Sequence, residues 1–529
     1  MRVWQVDSMV QVFENRVAPK EDVPIVIDAA RNETVSAQFA VRAAKDLDGL
    51  RCTVSPLVAG RSRLARVQVR YVGFVPVRKN SHARAIRKAP GRFPDPLLED
   101  QKTDVPTGRT QPVWITIRVP KDAAPGDHKG KVVFAVGGDR AELPLTVRVY
   151  KAVLPDERTL WVTNWTAARS RKRMELVVDF PWIPTEERYW RLLRAYAENM
   201  AAHRQNVILT PVYDLTQARA RQDGKLSFDF RLFDRWVKLF TDAGVIGRIE
   251  GSHLAGGKYG TTNHKSTIWV VRDGRAERRR VGSFAKGHKA FLALFLPALQ
   301  QHLERKGWLD IYLQHIFDEP TPKNTAQYKA LAETVRQAAP RLRIVEATHS
   351  HALAGSVDVW VPQLDHLSKR AAFYAERREA GDEVWFYTCC GPRDGRHLNR
   401  FLDYPLLQTR LLHWANARLG ATGYLHWGWN QWTRKDPFSD VESHGSQWLP
   451  PGDKYIVYPK AGGVLDSIRS EAMLEGLQDY ELLKVLSARN PAAAQKALSA
   501  VCRSATDYVR DVAAFRAARR EMLETLSGE

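Results

Sequence analysis

Four cysteines in 529 residues, at positions 52, 389, 390 and 502, are too few and too scattered for a disulfide framework. Cys389 and Cys390 read as packed thiols on a strand, neither a bridge nor a metal pair. No apolar run reaches the ~18 residues that would cross a membrane. The opening MRVWQVDSMVQVFENR lacks the basic start, apolar stretch and small-residue site of a secretory leader. The expectation is a cytoplasmic protein if that start is native, and a secreted or periplasmic one if a leader has been removed. Zinc-finger spacings, a Walker loop and RNA-binding aromatic motifs are also missing. No metal or cofactor is therefore expected, and no specific nucleic acid.

Acidic residues are in deficit. Lys and Arg number 80 against 59 Asp and Glu, a formal charge of +21, with pI near 9.8. Such a balance favours non-specific contact with polyanions and says nothing about fold. The length exceeds what one hydrophobic core holds, so two or three domains are expected.

Residues 1–152 read as an N-terminal β-sandwich. Val113–Val119, Lys131–Val136 and Leu143–Val149 are short β-branched runs set apart by turns such as Pro125-Gly126 and Gly137-Gly138. Residues 78–112, basic and rich in Pro and Gly, read as a long loop. From residue 153 to 465 strands alternate with amphipathic helices. Eight strand candidates are Leu160–Trp165, Asn206–Tyr213, Val245–His253, Ile311–Asp318, Arg343–His349, Val357–Gln363, Val384–Cys390 and Gly423–Asn430. Eight such units fit a (β/α)8 TIM-like barrel. A doubly wound sheet is the alternative, but no Gly-rich phosphate loop follows the first strand. Residues 466–529 read as a C-terminal helical extension packed on the barrel. The connection Leu254–Ala285 is long enough to be a lid and holds a hairpin turning at Asp273-Gly274.

Catalytic groups of a barrel sit where its strands end. Ile311-Tyr-Leu-Gln-His-Ile-Phe-Asp-Glu-Pro320 is an apolar strand finishing in two acids, Asp318 and Glu319, and stopped by Pro320. Carboxylates are costly on apolar scaffolding and ask for a reason. A helix N-cap is one reason, and acid/base chemistry is the other. The remaining strand ends offer His253, His349, Gln363 with Asp365, Tyr387, and His426, Trp427, Trp429 and Asn430. Tryptophans at a barrel mouth stack on sugar faces, and polar tips orient hydroxyls. Acids beside aromatics point to glycoside hydrolysis. Asp318 and Glu319 are adjacent, and adjacent side chains diverge, so they cannot flank one bond as acid and nucleophile. They suit a substrate-assisted route. Glu319, its pKa raised, would protonate the leaving oxygen. Asp318, ionised, would hold a 2-acetamido group.

Further stretches stand out in order along the chain: Ala30-Arg-Asn-Glu-Thr34, Asp95-Pro-Leu-Leu98, His315-Ile-Phe-Asp-Glu-Pro320, Tyr387-Thr-Cys-Cys-Gly-Pro392, Phe401-Leu-Asp-Tyr-Pro405 with Arg410, Gly423-Tyr-Leu-His-Trp427, and Ser467-Ile-Arg-Ser-Glu471 with Glu475-Gly-Leu-Gln-Asp-Tyr-Glu481. In these the chain resembles glycoside hydrolase family 123 and its related domains. The resemblance implies an N-terminal β-sandwich, a catalytic (β/α)8 barrel and retaining β-N-acetylgalactosaminidase chemistry. It implies an Asp-Glu pair as polariser and acid/base, matched here by Asp318 and Glu319. The expected partner is an oligosaccharide or glycan. Two other readings stand beside it: a glycosidase for a different sugar with Asp365 or Glu250 as second carboxylate, and a non-catalytic carbohydrate-binding protein. Two basic stretches, Arg169–Arg173 and the Arg272–Arg280 part of the long connection, raise an anionic glycan met beyond the cleaved sugar. Oligomeric state is not legible.

Overall fold

The computed structural model describes residues 1–167, 186–257, 259–432 and 436–528. Its first part is β-rich. Arg2–Val6, Thr34–Arg42, Thr110–Arg118, Arg66–Val77 and Gly91–Leu98 form a five-stranded antiparallel sheet in that order. A second sheet is built on Val26–Arg31, Asp139–Val153, Gly126–Val136 and Leu47–Val54. Alternation of apolar residues turns one face of each sheet inward, and the two share one core. Phe39 of the first sheet meets Phe134 of the second at 6.1 Å between ring centroids.

The expected loop at 78–112 is corrected here. Gly91–Leu98 is a strand although it contains Pro94 and Pro96. It lies at the edge of its sheet, the one place where a residue without an N–H leaves no ladder bond broken.

The second part carries parallel strands. Val207–Thr210, Arg248–Gly251, Tyr312–Gln314, Arg343–Thr348, Val359–Pro362 and Glu383–Val384 form a six-stranded parallel sheet in that order. Trp161–Asn164, Gly423–His426 and Phe386–Tyr387 form a three-stranded parallel sheet. Glu383–Val384 and Phe386–Tyr387 are one strand passing Trp385, whose N–H donates to Trp360 at 2.8 Å. The Asn206 side chain accepts from the Val162 N–H at 2.8 Å, and the Asn206 N–H donates to the Val162 carbonyl at 3.3 Å, joining the first strand to the second. All eight expected strands are present, each shorter than its apolar run, in a cyclic order consistent with a barrel. Gly423 opens the last one because a Cβ there would collide with the indole of Trp385. Helices Glu187–Ala202, Arg231–Asp242, Lys286–Lys306, Thr325–Ala338 and Leu406–Leu419 connect the strands. Two short helices, Leu364–Lys369 and Ala371–Glu379, follow the sixth strand.

Helix Ile468–Arg489 is buried along most of its length and meets both parts of the chain. Arg469 donates to Asp95 of the N-terminal edge strand at 2.7 Å, and also to the carbonyls of Gly452 and Tyr455. Arg70 pairs with Asp466 at 2.6 Å and with Glu471. Arg519, on the last helix Val512–Ser527, bridges Glu33 and Asp479, the latter at 2.7 Å. Arg410 shares Asp479 and reaches Glu475. Charges this buried persist only when paired and hydrogen-bonded.

Candidate active site

The strand Tyr312–Gln314 runs into His315-Ile-Phe-Asp-Glu319; its neighbours end at Gly251 and Thr348, and the strand Phe386–Tyr387, further round, brings Tyr387 to Glu319. Parallel strands place all these ends on one side. Glu319 has φ of +47°, a left-handed backbone that costs a residue with a Cβ ~1–2 kcal/mol. Its N–H is held by the Ala347 carbonyl at 3.1 Å. Strain of this kind at a strand end is characteristic of functional positions. The turn sends the two carboxyls to different places.

Asp318 opens into a cavity of about 460 Å3, lined among others by Trp165, His253, Lys265, Trp269 and Arg278. Its side chain is 55% exposed and forms part of the cavity wall. Its carboxyl is pushed up to about 8, first by removal from bulk water and then by the charges of Glu319 and Glu346. Glu319 turns away. It accepts from the Tyr387 hydroxyl at 2.5 Å and lies 3.3 Å from His349 Nε2. Burial pushes its carboxyl up, but the contacts from His349 and Tyr387 outweigh burial and hold it below the ordinary range. This reverses the expectation from sequence, in which Glu319 was the raised acid and Asp318 the ionised partner. The neighbours that decide it, His349 and Tyr387, come from other strands. Tyr387 also lies 2.8 Å from His349 Nε2, and His349 Nδ1 lies 3.1 Å from His366 Nδ1.

Beneath the pair lies a triad that the strand-end reading passed over. His315 is fully buried between two fully buried glutamates, 2.7 Å from Glu250 and 2.8 Å from Glu346. Burial alone would discharge the ring, but the two carboxylates overrule it and push it up to about 10. Glu346 is correspondingly held low; burial opposes this, and charged His315 with contacts from His315 and His253 prevails. Glu346 also accepts from the Ile316 N–H at 2.8 Å, which fixes the chain just before Asp318. The signal was present: a glutamate inside the apolar run Ile344-Val-Glu-Ala-Thr348.

His253 lies 4.0 Å from Asp318 and 3.6 Å from Glu346. His253, His315 and Glu346 place three ligand-type atoms within 4.8 Å, as do His203, Asp466 and Glu471. Both nitrogens of His315 already face carboxylates, so a metal would have to displace one of those contacts.

Other expected site residues lie elsewhere. His426 is fully buried, accepts from the Gly428 N–H at 3.0 Å and lies 3.4 Å from Asp453. Asn430 is fully buried and accepts from Ala167 N–H at 2.7 Å. Trp429 is 3% exposed and packs edge-on against Tyr196 at 5.0 Å. Trp427 is half-buried and donates to Asp453 at 3.2 Å. Neither Trp427 nor Trp429 lines the cavity beside Asp318; Trp165 and Trp269 do. The strand Gly423–His426 is buried on both faces, as parallel strands are, and it ends before these tryptophans. Glu250 is occupied by Thr163 at 2.6 Å, Trp165 at 2.9 Å and His315. Asp365 is paired with Lys369 at 2.7 Å. Neither faces Asp318 across the cavity. Cys389 is half-buried, but Cys390 is exposed and so is not the packed thiol expected, with 3.8 Å between the two sulfurs. Arg169–Arg173 lie outside the described residues.

Residues 178–486 match the family model for the glycoside hydrolase 123 catalytic domain, and residues 13–135 match the model for the glycoside hydrolase 123 N-terminal domain. The search of curated proteins gives no match. Among solved structures, the chain is similar over 100% of its length, and 97% of the other's, to a family 123 glycoside hydrolase from Clostridium perfringens, analysed for the details of glycolipid glycan hydrolysis. The TM-score is 0.79 and the identity 14%, which speaks to fold alone. A GH10 xylanase from termite gut with a bacterial Ig-like domain matches at TM-score 0.33 and 13% identity, over 70% of this chain and 90% of that one. A likeness that loose carries no argument.

Proposed function

The chain belongs to glycoside hydrolase family 123, and on that premise we propose a retaining exo-β-glycosidase that removes 2-acetamido sugars of the β-N-acetylgalactosamine type. It works by substrate assistance on a (β/α)8 frame. The observation that carries this reading is the divergence of two consecutive carboxyls, Asp318 toward the cavity and Glu319 toward Tyr387 and His349.

In the first step the acetamido oxygen of the bound sugar attacks C1. The C1–O glycosidic bond breaks, and Glu319 gives its proton to the leaving oxygen. Asp318 as carboxylate accepts the acetamido N–H and balances the charge of the cyclic oxazolinium. In the second step water attacks C1, Glu319 takes back a proton, and the ring opens to the acetamido sugar. Two displacements at C1 retain its configuration.

The surroundings in the free protein favour the opposite arrangement, raising Asp318 and lowering Glu319. Two coupled carboxyls share their protons, so the site needs only to move one proton between neighbours. An acetamido N–H donating to Asp318 favours its ionised form. The proton passes to Glu319, which then meets a leaving oxygen. A substrate without that N–H would leave the pair in its resting arrangement, a form of selection for the 2-acetamido group.

The test uses aryl β-N-acetylgalactosaminide and the matching 2-hydroxy galactoside. Glu319→Gln should lower turnover ~10²–10⁴-fold, the contribution of a positioned acid/base. Asp318→Asn should slow the acetamido substrate severely, and a thiazoline mimic of the cyclic intermediate should inhibit. Covalent trapping by a 2-fluoro sugar, or equal rates on both aryl glycosides, would refute substrate assistance.

A further inference from the structure

The cavity in front of Asp318 is bordered by the hairpin Lys265–Arg272 and Arg275–Gly282. The hairpin is strongly basic, and its geometry divides that charge. Arg272, Arg275, Arg279 and Arg280 are exposed and do not line the cavity. They are the solvated share that charge runs usually present. Lys265 and Arg278 do line it, together with Thr267 and Trp269.

Arg278 is set in place. The register puts it opposite Trp269, and directly opposed residues share a face of the ladder. Its guanidinium lies 5.0 Å from the centre of the Trp269 ring. From behind, it lies 3.3 Å from Asp214 and donates to the Tyr213 carbonyl at 3.1 Å. Five donors radiate from a guanidinium, so these contacts orient the group without exhausting it. Lys265 has no carboxylate partner among the described residues. The carboxylates facing these cations are Asp214, already engaged by Arg278, and Asp318. Burial and the neighbouring carboxylates push the latter up to about 8. The cavity thus holds two cations and a tryptophan face, with one lining carboxylate engaged by Arg278 and the other belonging to the catalytic pair.

We propose that Lys265 and Arg278 form an anion-binding subsite for an acidic group on the sugar that enters this cavity, a sulfate ester or a uronate carboxylate. Trp269 meets the ring beside it. The identity of that sugar rests on the 2-acetamido reading given above. Arginine suits the task because its planar fork matches the paired oxygens of such groups. The expectation from sequence put the acidic group beyond the cleaved sugar. The hairpin and Asp318 share one cavity, which moves it to the cleaved sugar itself.

The experiment is calorimetric titration of the wild-type protein with N-acetylgalactosamine, its 4-sulfate, its 6-sulfate and the corresponding 2-acetamido uronic acid, at low and high salt. At least one acidic sugar should bind about tenfold tighter than the neutral one, as expected for a charge-assisted contact. The sulfate and uronate arms separate the two sources of charge. Lys265→Gln and Arg278→Gln should each erase most of the preference. Lys265 makes no ion pair in the fold, so its variant should melt like wild type. Salt should weaken the preference as the screening length falls from ~10 Å at 0.1 M to ~3 Å at 1 M. The subsite is overturned if no acidic sugar binds tighter than the neutral one, or if the preference survives both substitutions. Hydrolysis of a neutral aryl acetamido glycoside without any acidic preference overturns the subsite and spares the activity. Tighter binding of an acidic sugar without hydrolysis of any aryl acetamido glycoside does the reverse.

Discussion

Tyr387→Phe removes one hydroxyl from the site and nothing else. That hydroxyl sits 2.5 Å from Glu319, whose carboxyl it helps to hold below its ordinary range. A hydrogen bond to a charged group contributes ~1.5–3 kcal/mol, and about 1.36 kcal/mol equals one pKa unit, so its loss should raise Glu319 by about one to two units. His349 keeps its own contact at 3.3 Å, which favours the lower end. Through most of the pH range the wild-type pair carries one proton. It gains a second only below the depressed pKa of Glu319 and sheds the first near 8, where Asp318 ionises. The profile of kcat/KM, which reports the free enzyme, should be a bell with its alkaline limb near 8 and its acid limb below the usual glutamate value. In Tyr387→Phe the acid limb should move up by about one to two units while the alkaline limb stays. The assay is initial rates on aryl β-N-acetylgalactosaminide from acid to mildly alkaline pH, with unfolding followed in parallel. An acid limb that does not move, or an alkaline limb that moves instead, would refute the assignment of Glu319 as the low member of the pair.

Asp318→Asn should raise the melting temperature at pH 8 and leave it unchanged near pH 4. A carboxyl whose folded pKa lies above its unfolded value of ~3.9 costs stability as pH rises between the two, and nothing below both; equal gains at both pH values would contradict this. Glu346→Gln should destabilise by ~3–5 kcal/mol, the usual cost of breaking a buried charged pair. His315 is raised in the fold, so the stability it supplies is full below its unfolded pKa and is lost as pH rises through about 10. The deficit of Glu346→Gln, read by denaturant melts, should be largest near pH ~6 and narrow toward alkaline pH. Trp429→Ala should cost ~3–5 kcal/mol as a cavity mutant with KM unchanged, whereas Trp269→Ala should raise KM with little loss of stability; the opposite pattern would return Trp429 to the sugar wall.

The order of strands was legible because β-branched and aromatic runs alternate with helical periodicity, and the two acids stood out because nothing apolar excuses them. The roles of those acids were not legible. They depend on Tyr387 and His349, which reach Glu319 from 68 and 30 residues away, and no local pattern encodes such pairings. The aromatic run was legible only in part. The strand stops at His426, and beyond it Trp429 and Asn430 are buried while Trp427 stays half-buried, a division that no local pattern encodes. The prolines at 94 and 96 hid a strand, since only the completed sheet shows that this one lies at the edge. Glu346 was legible in principle, as a carboxylate in an apolar run, and only its partner His315 explains why it is tolerated.

The buried arginines bear on how separable the two parts of the chain are. Arg469 finds its carboxylate on Asp95 and Arg519 finds one of its two on Glu33, both from the N-terminal sheets. A gene rearrangement that carried off the parallel strands and their last helices would bring these guanidiniums along and leave their counter-charges behind. The recipient would inherit cations sealed in an interior with too few partners, at several kcal/mol each. The β-rich part is thus more than an appended module: it holds the other half of the charge that the last helices carry.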